Sequence, residues 1–328
     1  MSLHKKFAIA LLGVVAFAFV MPVDAPAVLI WRRGEGWSWE HEGVTTGTNP
    51  ADQLKIAQNL EAKKQYRNAI SAYRRVVGRW PLSASAQDAR LGEAECLGAI
   101  GYHYKAFQQY QELIKKHPNT PHFDTVLRRQ FEIGNLFLAG ERQKAWGVRL
   151  LPSLDRCVEV YEQVVKNGPY SDVAPESQFR IGLAYEKQHD YLAAVHAYEK
   201  FLERYPKLPL AEGAQFQIGW EYKKEAARSE YDQNAANQAI AAFTDFLLRY
   251  PRSDKVAVAE KYQVELKGEQ SRGMFHIGQF YEKNGHYRSA LIYYNDVIEK
   301  NPESNWAAQA KDKIVKLSPL TAEKTATP

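Results

Sequence analysis

A chain of 328 residues, 45% apolar and 25% charged, has the composition of a folded protein and not of a disordered tail. It also exceeds what one compact core usually supports, so it must divide or repeat. The formal charge of +5 is spread along segments that also carry acids, as in Glu199-Lys200 and Glu203-Arg204. A nucleic-acid binder would instead concentrate Lys and Arg on one face.

In chain order, the first feature is a leader. Lys5 and Lys6 precede the apolar run Phe7 to Val20, which is followed by Pro22 and by Ala25-Pro26-Ala27. A basic start, an apolar core of 14 residues and small residues two apart predict a secretory signal over 1–27, cleaved after Ala27. The run is short of the ~20 residues a spanning helix needs, and no later stretch is apolar enough to cross a membrane. The mature chain is therefore expected to be exported. Residues 28–50 hold Trp31, Trp37 and Trp39 among Gly34, Gly36, Gly43 and Gly47 without a helical period. They predict an extended arm whose tryptophans are candidate contacts with the rest of the chain or with a partner.

From residue 51 to 318 one pattern recurs six times. A small residue is followed by an aromatic four later, an apolar residue three after that, and a proline five further on. The small residues are Ala69, Ala106, Cys157, Ala194, Ala239 and Ala290; the aromatics are Tyr73, Tyr110, Tyr161, Tyr198, Phe243 and Tyr294. The prolines are Pro81, Pro118, Pro169, Pro206, Pro251 and Pro302, always 12 residues after the small residue. Spacings of four and three put these side chains on one helical face, and proline stops the helix. Ser83, Thr120, Ser171, Ser253 and Ser304 stand two residues beyond five of the prolines and are expected to cap the next helix.

A second pattern marks the preceding helix: Phe131-x-Ile133-Gly134, Phe179-x-Ile181-Gly182, Phe216-x-Ile218-Gly219 and Phe275-x-Ile277-Gly278. Weaker copies lie around Ala57 and Ala94. Glycine inside a helix costs about 1 kcal/mol relative to alanine. Its recurrence predicts that the aromatic of the second helix packs on the bare backbone. Successive prolines are 37, 51, 37, 45 and 51 residues apart, which puts extra length near 140–152, near 225–237 and in a first helix of the sixth unit that extends back toward Lys255.

No catalytic constellation emerges, and neither a cofactor nor a metal is expected. His-Glu-x-x-His, Cys-x-x-Cys and Gly-x-Ser-x-Gly are all absent. Cys96 and Cys157 lack metal or redox spacing and are read as small buried residues, although two cysteines can bridge in an oxidising compartment. What remains is a surface. First helices line the concave side of such stacks, and Leu91, Phe131, Phe179, Phe216, Trp220 and Phe275 form a candidate groove for an extended peptide. Most of the phenylalanines are read first as packing between repeats. Trp220, just after Gly219, is the strongest groove candidate.

These two patterns are the signature of the tetratricopeptide repeat, which residues 51–318 resemble. The fold they imply is an all-α, right-handed superhelical solenoid of about six helix pairs, followed by a disordered tail over 319–328. Within that class, the export signal, the long units, the Tyr205-Pro206 and Tyr250-Pro251-Arg252-Ser253 ends and the long last unit resemble the BamD family of outer-membrane β-barrel assembly. That resemblance implies a non-catalytic periplasmic scaffold for unfolded barrel proteins and a barrel-forming subunit, peripheral to the outer membrane and without a nucleic-acid partner. The family's lipidated cysteine has no counterpart near the leader, so membrane association is expected to be indirect. A soluble periplasmic coordinator of the CpoB, Tol–Pal-associated kind, or an accessory of cell-wall enzymes, is the alternative.

Overall fold

The computed structural model describes residues 27–32, 36–41, 46–145, 148–152, 154–228 and 233–323. Residues 1–26 of the expected leader (1–27) and residues 324–328 of the expected tail lie outside them. Among the described residues the chain is a row of helices, preceded by one short hairpin and interrupted by another.

Six pairs follow one another: α1 (Pro50–Ala62) with α2 (Tyr66–Arg79), α3 (Ala84–Ala99) with α4 (His103–Lys116), and α5 (Phe123–Leu138) with α6 (Leu154–Asn167). Then come α7 (Ala174–Lys187) with α8 (Tyr191–Arg204), α9 (Leu210–Arg228) with α10 (Gln233–Arg249), and α11 (Val256–Lys283) with α12 (Tyr287–Lys300). A thirteenth helix, α13 (Asn305–Glu323), packs on the last pair. Contacts run between neighbours in sequence, which is the one-dimensional order of a solenoid.

Each second helix ends in one kind of turn. The amide of Ser83 bonds the carbonyl of Trp80, and the same step joins Thr120 to His117, Ser171 to Gly168, Leu208 to Tyr205, Ser253 to Tyr250 and Ser304 to Asn301. Proline follows the accepting residue every time, where its fixed φ suits a turn and its missing amide is not needed.

The hydroxyls behave differently from expectation. Ser83 and Ser171 donate back to the carbonyls of Trp80 and Gly168, closing the old helix and not opening the new one. Thr120 and Ser253 accept from amides two residues on. Only Ser304 accepts from the amide three residues on, Ala307 N at 3.0 Å, as an N-cap does.

The end of the first helix is equally regular in five of the pairs. Lys64, Gly101, Gly140, His189 and Gly285 have positive φ, and the next residue's amide reaches back into the last turn, as Tyr102 N does to Leu97 O. This is the Schellman ending, which favours glycine at the left-handed residue.

Two expected segments prove to be hairpins, and one boundary moves. The 28–50 arm is in part an antiparallel hairpin: strands β1 (Ala27–Arg32) and β2 (Gly36–His41) pair with Trp31 opposite Trp37 and Leu29 opposite Trp39. The extra length of the third unit is a second hairpin, β3 (Arg142–Ala145) with β4 (Val148–Pro152). The tail does not begin at 319, because α13 continues through Pro319 to Glu323. Proline is tolerated there because it falls near the helix end, while Leu317 is buried against the last pair and the Ser318 hydroxyl bonds Ile314 O.

Candidate functional site

The interior is built around the recurring aromatic. A Cβ added to Gly134, Gly182, Gly219 or Gly278 would fall 2.5–2.8 Å from the ring of Tyr161, Tyr198, Phe243 or Tyr294, respectively. Each glycine is thus a slot in the first helix, filled edge-on by an aromatic of the second. In the first two pairs the arrangement shifts. Ala57 takes the glycine's place, and the face of Tyr73 turned to the next repeat meets Gly92 of α3.

A polar contact missed by sequence reasoning runs beside these slots. Gln53, Gln178 and Gln215 are buried and donate through Nε2 to the carbonyls of Ala72, Ala197 and Ala242, at 3.2, 3.0 and 3.4 Å. Each glutamine stands four residues before the small residue of its first helix, and each acceptor three after the small residue of the second. Gln130 holds the same position in α5 and is fully buried. The signal, a glutamine at fixed offset in four units, was present in the sequence. An amide on a helix reads as solvated until its burial is known.

The groove candidates separate by environment. Phe275 is buried, 5.3 Å from both Tyr294 and Trp306 by ring centroids, and leaves the groove set because α13 covers it. Leu91, Phe131, Phe179 and Phe216 are half-buried and lean on the core. Phe179 contacts Tyr198 and Phe201, and Phe216 contacts Phe243 and Phe246, all at ring separations between 5.2 and 5.9 Å.

Trp220 is different. It stacks on Tyr262 of the following unit at 5.1 Å and 29° between planes. Lys223 Nζ lies 4.8 Å from the Tyr262 ring and 5.7 Å from that of Trp220, while also pairing with Glu265 at 3.3 Å. Lys255 sits over Phe216 at 5.7 Å. The site is therefore a half-buried aromatic strip bridging α9 and α11 and edged by ammonium groups. Such a strip can take an extended chain whose side chains supply rings or carboxylates. Tyr262 was not foreseen because it lies on the extra length of α11. The side chains of Trp31, Trp37 and Trp39 lie outside the described residues.

The remaining chemistry is structural. Burial pushes the thiols of Cys96 and Cys157 up to about 12, which leaves both as inert packing groups. Among the described residues no group of three or more His, Cys, Asp or Glu side chains is placed to hold a metal ion. No described helix is long and apolar enough to cross a membrane.

The family model described as YfiO, outer membrane lipoprotein, matches residues 153–325, and a tetratricopeptide-repeat model matches 54–121. The outer membrane protein assembly factor BamD of Caulobacter vibrioides is 26% identical over 162 residues, covering 49% of this chain and 53% of that protein. The chain thus spans about half the length of this curated relative. Among solved structures, a MamA protein is 16% identical with a TM-score of 0.34, covering 63% of this chain and 94% of that one. A tetratricopeptide repeat protein from Parabacteroides merdae is 12% identical with a TM-score of 0.34, covering 83% and 99%.

Proposed function

The chain belongs to the YfiO outer-membrane lipoprotein family, and from that membership we propose that it is a non-catalytic periplasmic scaffold that holds extended segments of other proteins during outer-membrane β-barrel assembly. The observation that carries this reading is the strip formed by Phe216, Trp220 and Tyr262, where rings from two units meet beside Lys223 and Lys255. The bound segment is an unfolded barrel protein or a loop of the barrel-forming subunit. The hairpin that carries Trp31, Trp37 and Trp39 is a second candidate contact with a partner.

The test is site-specific photocrosslinking in cells, with a benzophenone residue in place of Trp220 or at an exposed site such as Lys261. The expected result is an adduct with the barrel-forming subunit or with unfolded barrel proteins from position 220 and none from position 261. Recovery of the protein entirely in the soluble fraction, with no such adduct, would sink the proposal. In that case the soluble Tol–Pal-type coordinator becomes the better reading.

A further inference from the structure

The joint between the fourth and fifth pairs contains a charge that helix packing alone does not explain. Glu221 of α9 is fully buried. The equivalent places in the second and fourth pairs, two residues after Ala94 and Gly182, hold Cys96 and Ala184, which are small, uncharged and equally buried. A carboxylate in that position is costly unless it is paired and hydrogen-bonded.

Its pairing is shared. Lys224, one turn further along α9, lies 2.8 Å from Glu221 and 2.9 Å from Glu186 of α7, so one ammonium serves two carboxylates. The contact to Glu221 is close but poorly aligned, and neither oxygen of Glu221 meets a second donor among the described residues. From α8 the buried Tyr198 hydroxyl faces both acids, and the ring of Tyr191 lies 4.6 Å under the Lys224 ammonium. The Glu186 carboxylate also accepts from Gln217. Around the buried Glu221 carboxyl there is thus one cation, a second acid and a phenol, with Lys224 and Glu186 still reaching solvent.

We propose that Glu221 is a proton-operated clasp between the fourth and fifth pairs: its neutral form seats α9 against α7 and α8, and ionisation of the carboxyl weakens that seat. With the carboxyl protonated, Lys224 serves Glu186 alone and no uncompensated charge is buried. With it ionised, two acids compete for one ammonium at the interface that joins the halves of the solenoid.

Burial, reinforced by Glu186 and only partly offset by Lys224, pushes the Glu221 carboxyl up to about 7. Since the unfolded value is lower, the fold holds a proton that the unfolded chain has released. The resulting stabilisation is present at lower pH and is lost as pH rises through about 7.

The experiment is amide exchange read by mass spectrometry on the full chain at about pH 5.5 and about pH 8, with times scaled for the intrinsic exchange rate. Peptides from α2, which carries no acid or histidine, serve as the internal reference. Protection of α9 relative to α2 is expected to fall roughly tenfold at the higher pH, the equivalent of one unit of proton linkage. In Glu221→Gln the ratio should be the same at both values. Glu186→Gln, which leaves Lys224 to Glu221, should move the wild-type transition to lower pH. An unchanged ratio in the wild type overturns the proposal, and so does a Glu221→Gln variant that keeps the full pH effect. If that variant does not fold, the wild-type ratio and the Glu186→Gln shift decide the matter.

Discussion

A Cβ built on Gly182 would lie 2.5 Å from Cζ of Tyr198, inside any distance that real side chains keep. Gly182→Ala gains about 1 kcal/mol of helix propensity but drives the ring out of its slot, an overpacking cost of about 1–3 kcal/mol. A net loss in urea unfolding is expected. Gly268→Ala is the control: nothing lies within 4 Å of the added methyl, so the same change on α11 should stabilise by up to about 1 kcal/mol.

Trp220 and Tyr262 form a stacked pair across a unit boundary. Such pairs contribute about 0.5–1.5 kcal/mol beyond burial. A double-mutant cycle with Trp220→Ala and Tyr262→Ala should give a coupling of that size. Each single change should also weaken peptide binding more than it reduces stability. A loss of about 3–5 kcal/mol for Trp220→Ala alone would make it an ordinary core residue.

Lys64 holds φ 58° at the end of α1, where Gly101, Gly140 and Gly285 stand in other units. Lys64→Gly removes a left-handed Cβ penalty and should raise stability by about 0.5–1 kcal/mol, measured by thermal unfolding.

The Ser304 hydroxyl accepts the Ala307 amide, whereas the Ser83 hydroxyl only returns to Trp80 O. Ser304→Ala should therefore cost about 1 kcal/mol, and Ser83→Ala about half of that or less. Equal losses in denaturant titrations would show that the hydroxyl acts on the turn and not as a cap.

Thiols pushed up to about 12 carry almost no thiolate near neutral pH. Iodoacetamide should leave Cys96 and Cys157 unmodified in the folded chain and label both in denaturant, as read by intact mass. Rapid labelling of the native protein would contradict their burial.

The parts of this protein legible in its sequence are those that depend on residues close together along the chain. Proline placed each turn, the four-and-three spacing placed each buried face, and the small–aromatic pattern placed the slots that Tyr161, Tyr198, Phe243 and Tyr294 occupy. All follow from helical geometry over a dozen residues, which one segment encodes by itself. Other features wait on how neighbouring pairs are stacked. Phe275 and Phe216 occupy the same motif position, yet α13 covers one while the other borders the strip with Tyr262. Buried Gln178 and exposed polar residues look alike in a helical pattern until a carbonyl from the second helix is seen opposite. Glu221 reads as a solvated acid until α7 and α8 close over it. The periodic pattern thus determined which side chains face inward, while the stacking of units decided which of them meet, because partners such as Trp220 and Tyr262 are 42 residues apart and only superhelical packing brings them together.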